Sequence, residues 1–293
     1  MTPASFHVSS RRWLRMLCRI GMALGVMASL SLQAQAAERI AVLNPGHAKI
    51  IQALGAGDQL VLMPNDPSLE GQLPNVTRYH RLPSAESLLA EKPQALIAAT
   101  PARHQELLDQ ARRLGIEPVM IERTLPPTER VRRLAEYVDR VPQGRELIKR
   151  IKQGHAAAAE ISRGEPRVKV LHLSSSGAGS TGTVTGAGAA TSADALIERA
   201  GGINVGAEAG LERYQSLSAE GVIAMAPEAI LVSAKELPAI GGADGIWEQV
   251  PGLAHTPAAQ DKRLIVLDHA AVKYDGATSG SATRSLAEAL HTP

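Results

Sequence analysis

Cysteine is almost absent from this chain of 293 residues, Cys18 being the only one. It falls inside the N-terminal leader, so the exported remainder has neither a disulfide framework nor a cysteine-ligated metal. Aromatic residues are nearly as scarce, at 2 %. With Phe6 and Trp13 also in the leader, Trp247 and four tyrosines are the whole remaining inventory. Catalytic signatures are missing as well: there is no Gly-x-Ser-x-Gly elbow, no His-Glu-x-x-His pair and no spaced carboxylate pair, which sets a secreted enzyme aside. An excess of one charge is lacking too.

The precursor carries 31 Lys+Arg against 29 Asp+Glu. Four of those arginines, Arg11, Arg12, Arg15 and Arg19, form a positive n-region ahead of the apolar stretch from Ile20 to Leu32 and the small-residue site Ala34-Gln35-Ala36. That is the pattern of an export signal cleaved near Ala36. A membrane anchor fails on length, because a spanning helix needs roughly 20 apolar residues. A lipoprotein reading of Cys18 fails because the cysteine starts the apolar run instead of ending it. Without the leader the charge is 27 against 29, or −2, and nucleic acid is excluded as a partner.

What the chain does have is an echo. RYHRLPSAESLLAEKPQALIAA, 78–99, returns about 135 residues later as RYQSLSAEGVIAMAPEAILVSA, 213–234. Both read Arg-Tyr, Leu, Ser-Ala-Glu, a short helix, a proline and an apolar strand, and the one insertion is Pro83. A repeat this long is not a solenoid, which needs periods of 20 to 50 residues and at least three copies. It predicts two similar lobes with a cleft between them, and a tyrosine in a loop of each.

In order, Arg39–Leu43 reads as a strand, followed by Asn44-Pro45-Gly46-His47 and a helix ending at Gly55. Leu60–Met63, Gln94–Ala99 and Pro118–Ile121 are further strands, with a helix over 103–114. Strands alternating with helices predict parallel sheets covered on both faces. Thr128–Arg140 and then Arg145–Ile161 are helical, punctuated by Pro142 and Gly144. A helix of some 20 residues spans ~30 Å, enough to join two lobes; two ordinary packing helices of one domain are the alternative. Arg167–Leu173 begins the second lobe, and the Gly-rich stretch 174–202 lacks the Gly-Lys-Ser/Thr ending of a P-loop, so it reads as a loop and strand leading into a helix capped by Thr191 or Ser192. Ile230–Ser233 and Leu264–Leu267 are strands, 241–253 is irregular, and 282–290 is a terminal helix. The expected division is a leader (1–36), a first α/β lobe (37–142), an interlobe helix (143–163) and a second α/β lobe (164–293).

Read together, VTGAGAATSADALIERAGGINV, the Tyr214 segment, GGADGIWEQVPGLAHTPA, DKRLIVLD, ALGAGDQLV and LPNVTRYHRLPSAESLLAEKP resemble the periplasmic haem-binding proteins of bacterial haem ABC importers, within the larger group that also binds ferric siderophores and cobalamin. The resemblance covers nearly the whole exported chain, and 241–258 is its most specific part. It implies a periplasmic monomer with haem as transported ligand in the interlobe cleft, an axial tyrosine at Tyr79, an inner-membrane ABC permease with its ATPase as partner, and an outer-membrane haem uptake system upstream.

Chemistry agrees with that placement, because ferric iron is a hard centre suited to an anionic oxygen, and neighbouring cations favour the phenolate over a phenol of pKa ≈ 10. Arg78 and Arg81 flank Tyr79 and are expected to supply that field or to pair with haem propionates, with His80 beside them. Tyr214 is expected at the opposite wall, as a contact or as an ordinary packed residue. Lys235 falls where the family places a basic haem contact, and Tyr274 lies at a rim that departs from the family's Gly-Pro-Arg-like turn. Glu86 and Glu220, alike in the two copies, are either favourable charges at helix starts or, as the resemblance implies, carboxylates that dock onto permease arginines. A rival reading gathers His47, His80 and His104 around zinc or manganese, or lets one of them give haem a sixth ligand.

Overall fold

The computed structural model describes residues 38–175 and 184–292; the leader, the 176–183 part of the Gly-rich stretch and Pro293 lie outside them. Two sheets carry the chain. In the first lobe β1 (Ile40–Val42), β2 (Leu60–Pro64), β3 (Thr77–Tyr79), β4 (Ala95–Ala98) and β5 (Glu117–Met120) lie in the order β3-β2-β1-β4-β5, all parallel. β1 and β4 are buried at every residue, as expected of parallel strands with helices on both faces. In the second lobe β6 (Val168–Ser174), β7 (Thr185–Ala187), β8 (Gly202–Asn204), β9 (Tyr214–Ser216), β10 (Ala229–Ser233) and β11 (Leu264–Leu267) form the order β11-β10-β6-β7-β9, with β8 beside β6. β7 runs antiparallel to both β6 and β9, so this sheet is mixed where the first is wholly parallel.

The helices start where capping chemistry allows. Asn44 accepts the His47 N–H and Pro45 opens the helix Pro45–Ala53; Ser84, Thr191 and Ser218 cap Ala85–Glu91, Ser192–Arg199 and Ala219–Met225 in the same way, each side-chain oxygen meeting an otherwise orphaned N–H. Between the sheets runs the helix Val141–Ile161, 21 residues without a break. Pro142 and Gly144 do not punctuate it as the sequence suggests. Proline is tolerated in a first turn, where its missing N–H is not needed, and Gly144 is there because a Cβ would stand 2.4 Å from the Ala135 Cβ of the preceding helix Pro127–Tyr137. Further along, Gly154 meets Gly280 of the terminal helix Ser279–His291, where an added Cβ would come within 2.3 Å of backbone.

Three other expectations change. The stretch 241–253 is not irregular: Gly242–Gln249 is a helix and Leu253–His255 a single 3-10 turn. Gly241 and Gly242, at φ 104° and 69°, make the turn into it, and Ile246 and Trp247 bury its inner face. A helix over His269–Tyr274 joins the second lobe where the sequence pattern marks none. Both echoed tyrosines sit in short edge strands instead of loops, Tyr79 ending β3 and Tyr214 opening β9. The lobes meet through polar contacts. Arg130 is almost fully buried and donates to the Tyr274 carbonyl at 2.9 Å and to the Asp275 carbonyl; Tyr274 Oη donates to Asp66 Oδ2; Lys235 pairs with Glu70 at 2.9 Å.

Candidate functional site

Parallel sheets present ligands outside the carboxyl ends of their strands. At that end of the first lobe lies a cavity of about 530 Å³, within the size range of small-molecule and cofactor sites. Asn44 follows β1, Asn65 follows β2, Tyr79 and His80 close β3, Thr100, Arg103 and His104 follow β4, Arg123 follows β5, and Arg213 reaches in from the second lobe. Arg81 completes a set of four guanidinium groups, and among the described residues no carboxylate lines the space. A cavity so charged is built for an anionic guest.

Tyr79 lies half-buried at its edge, with its ring against the core and its hydroxyl donating to the Val42 carbonyl at 2.9 Å. Burial pushes its phenol well above the ordinary value, and the Arg103 guanidinium is the opposing influence. Arg78 does not join it. Neighbours in a strand face opposite ways, and Arg78 turns back to the carbonyls of Leu69 and Gln72 at 2.8 and 2.5 Å, tying down the loop before β3. The second copy of the repeat supplies the cation instead. Arg213 takes a left-handed φ of 58° and is held there by backbone bonds between its N–H and the Ala189 carbonyl at 2.9 Å and between its carbonyl and the Gly188 N–H at 2.6 Å. Backbone strain of this kind costs on the order of 1–3 kcal/mol and concentrates at functional positions.

The other expected residues divide. Tyr214 is not a wall of this cavity: its hydroxyl is buried without a partner among the described residues, its ring meets His172 edge-on at 5.9 Å, and Lys273 stands 4.3 Å above it. Lys235 is an exposed bridge to Glu70, and Tyr274 is spent on Asp66 and on edge-to-face packing with His269. Sequence reasoning missed Arg103, Arg123 and Arg213; only Arg213 had a signal, as the partner of Arg78 in the echo.

The three histidines do not converge on a metal. Among the described residues there is no group of three or more His, Cys, Asp or Glu able to hold one. His47 is fully buried, and among the described residues neither ring nitrogen has a partner. His104 lines the space, but its Nδ1 accepts the Ala99 and Thr100 N–H groups at 3.2 and 3.4 Å. The imidazole is therefore the tautomer with its proton on Nε2, a donor toward the cavity and not a metal ligand. His80 is exposed, with Nδ1 3.3 Å from the Asn65 amide.

Glu86 and Glu220 occupy the same place in their helices, exposed in the first turn two residues after the capping serine. Hydrogen bonding to Ser84 holds the Glu86 carboxyl below its usual range.

The model of the periplasmic binding protein family matches residues 40–271. The chain belongs to that family. Its members and structural neighbours are substrate-binding transport proteins and not enzymes, and membership implies a periplasmic location and delivery to an ABC permease. Among solved structures it is similar to the periplasmic heme-binding protein RhuT from Roseiflexus sp. RS-1 in apo form, at TM-score 0.76 and 32% identity, covering 87% of this chain and 98% of that one. It is also similar to the periplasmic heme-binding protein HutB of Vibrio cholerae, at TM-score 0.72 and 30% identity, covering 87% and 100%. Among curated proteins, the vitamin B12-binding protein of Yersinia pestis (strain Pestoides F) is 26% identical over 212 residues, 70% of this chain and 72% of that protein.

Proposed function

We propose that this family member captures haem in the arginine-lined cavity, with Tyr79 as axial ligand, and delivers it to the inner-membrane permease after its leader is removed near Ala36. The observation that carries the reading is one phenol at the edge of a cavity lined, among the described residues, by four arginines and no carboxylate. Haem presents the complementary pair of features, a ferric centre that takes an anionic oxygen and two propionates that take guanidinium forks. As the iron–oxygen bond forms, the Tyr79 hydroxyl leaves the Val42 carbonyl and releases its proton to solvent. Arg103 favours that loss; Arg81, Arg123 and Arg213 remain for the propionates, and the Nε2 hydrogen of His104 is a further donor. Cobalamin, named for the curated relatives, carries mainly neutral amides and leaves four guanidinium groups poorly used.

Glu86 and Glu220 are the docking carboxylates of this reading, one per lobe and alike in setting. The test of the haem site is titration of the mature protein with hemin and, separately, with cyanocobalamin. Hemin is expected to give a high-spin ferric tyrosinate spectrum, and Tyr79→Phe to lose it and bind more than about 100-fold more weakly, beyond the ~10–100-fold that changes around a ligand shell cost. Unchanged spectrum and affinity in that variant would refute Tyr79 as ligand, and tight binding of cobalamin alone would refute haem.

A further inference from the structure

Two of the four exposed large hydrophobic side chains among the described residues are Leu89 and Ile223, at 55% and 43% exposure. They are equivalent positions. Leu89 follows Glu86 by three residues in the helix Ala85–Glu91, and Ile223 follows Glu220 by three in Ala219–Met225. The two helices match in length, in serine cap and in left-handed terminal residue, Lys92 at φ 46° and Ala226 at φ 44°. They also match in having one buried position each, Leu88 and Val222.

Residues three apart share a helix face, about 5–6 Å from each other. Each lobe thus shows solvent a carboxylate beside a branched aliphatic side chain. Single exposed hydrophobics need no explanation. Here, though, the lobes have diverged at other exposed positions of the repeat, such as Arg81 and Ser216, and the fold's core does not require an aliphatic residue where Leu89 and Ile223 stand.

We propose that Leu89 and Ile223 are the apolar anchors of the permease-docking surface, each seated in an apolar hollow next to the cation that receives Glu86 or Glu220. The proposal rests on the docking reading of those two carboxylates and adds to it. A surface presented twice selects a partner that offers the same receptor twice, which is what the two-fold symmetry commonest among assemblies provides; the two carboxylates require that receptor to be basic. The occupant is a two-fold permease pair with a cation and an apolar hollow on each half.

The test measures binding of the haem-loaded mature protein to its cognate permease–ATPase complex in lipid nanodiscs, at low and high salt, with hemin titration of every variant as a control. Glutamine keeps size and helix propensity while removing apolar character. Leu89→Gln is expected to weaken binding about 5-fold, as truncation of an interface anchor does, and Leu89→Gln with Ile223→Gln about 25-fold because distant sites add. Neither should change the salt dependence or hemin binding. Leu89→Met with Ile223→Leu should bind as the unaltered protein. Glu86→Gln with Glu220→Gln should weaken docking and flatten its salt dependence. If the glutamine variants at 89 and 223 bind normally while the variants at 86 and 220 do not, the anchors are refuted and docking stands. If both pairs bind normally, the docking reading itself fails. If the unaltered protein dimerises in sedimentation and the glutamine variants at 89 and 223 are monomers, the occupant is a second copy and the proposal is overturned.

Discussion

His47 ties the stability of this protein to pH. Its imidazole is fully buried with neither nitrogen paired among the described residues, and burial first, then the charges of Arg130 and His104, lowers its pKa from 6.5 to about 3. When the folded value lies below the unfolded one, the unfolded chain takes the proton first as pH falls. Stability is then complete above about 6.5 and drains away between 6.5 and about 3. At pH 5 the unfolded imidazole is almost wholly protonated and the folded one is not, a difference of about 2 kcal/mol relative to pH 7.5. His172, lowered to about 4 by burial and then Lys273, contributes a similar loss, so the two together remove about 4 kcal/mol. Urea unfolding of the apo protein at pH 7.5 and 5.0, followed by circular dichroism, reads this directly. His47→Leu is the informative variant because no hydrogen bond is lost with the ring. It should be at least as stable at pH 7.5, since an unpaired buried polar group costs roughly 1–3 kcal/mol, and should lose about 2 kcal/mol less on acidification. A variant that loses as much as the unaltered protein between the two pH values refutes a buried neutral imidazole.

Two further outcomes bear on how the lobes are held. Gly154→Ala forces a Cβ to within 2.3 Å of the Gly280 backbone, an overpacking of about 1–3 kcal/mol; melting should fall by about 2–12 °C, and an unchanged melt rules out so close a crossing. Tyr274→Phe removes the cross-lobe bond to Asp66 without touching the cavity, so haem should be released several-fold faster in stopped-flow transfer to apomyoglobin while the bound spectrum stays the same; an unaltered rate means this bond does not restrain the lobes.

How much of this could be read from the chain depends on where each residue's partner lies. The long helix was legible because Leu147, Ile148 and Ile151 repeat at helical spacing. Pro142 and Gly144 misled because the reason for the glycine, the Ala135 side chain, belongs to another helix. The segment 241–253 read as irregular for a similar cause, its glycines being visible while the packing that holds Ile246 and Trp247 was not. Of the site, Tyr79 was legible through the repeat. Its companions were not: Arg103, Arg123 and Arg213 come from three distant segments that only strand order brings to one cavity. Arg78 stood next to the tyrosine in sequence and for that reason faces away from it, since a strand's period is two.

The repeat itself has been kept in one half and released in the other, and the division follows what each half faces. Its helices agree in cap, length, buried position, carboxylate and exposed aliphatic residue, which is expected if both must fit two copies of one receptor. Its strands have parted: β3 runs parallel beside β2 while β9 runs antiparallel beside β7. One tyrosine borders an arginine-lined space and the other lies beneath Lys273 with its hydroxyl sealed in. On the proposed haem reading one iron takes one phenolate from this pair, and the second lobe contributes Arg213, the residue before its tyrosine, to the lining of the same space. A symmetric outer face and an asymmetric inner one are what the proposed reading requires, with a two-fold partner outside and a cargo held by Tyr79 alone within.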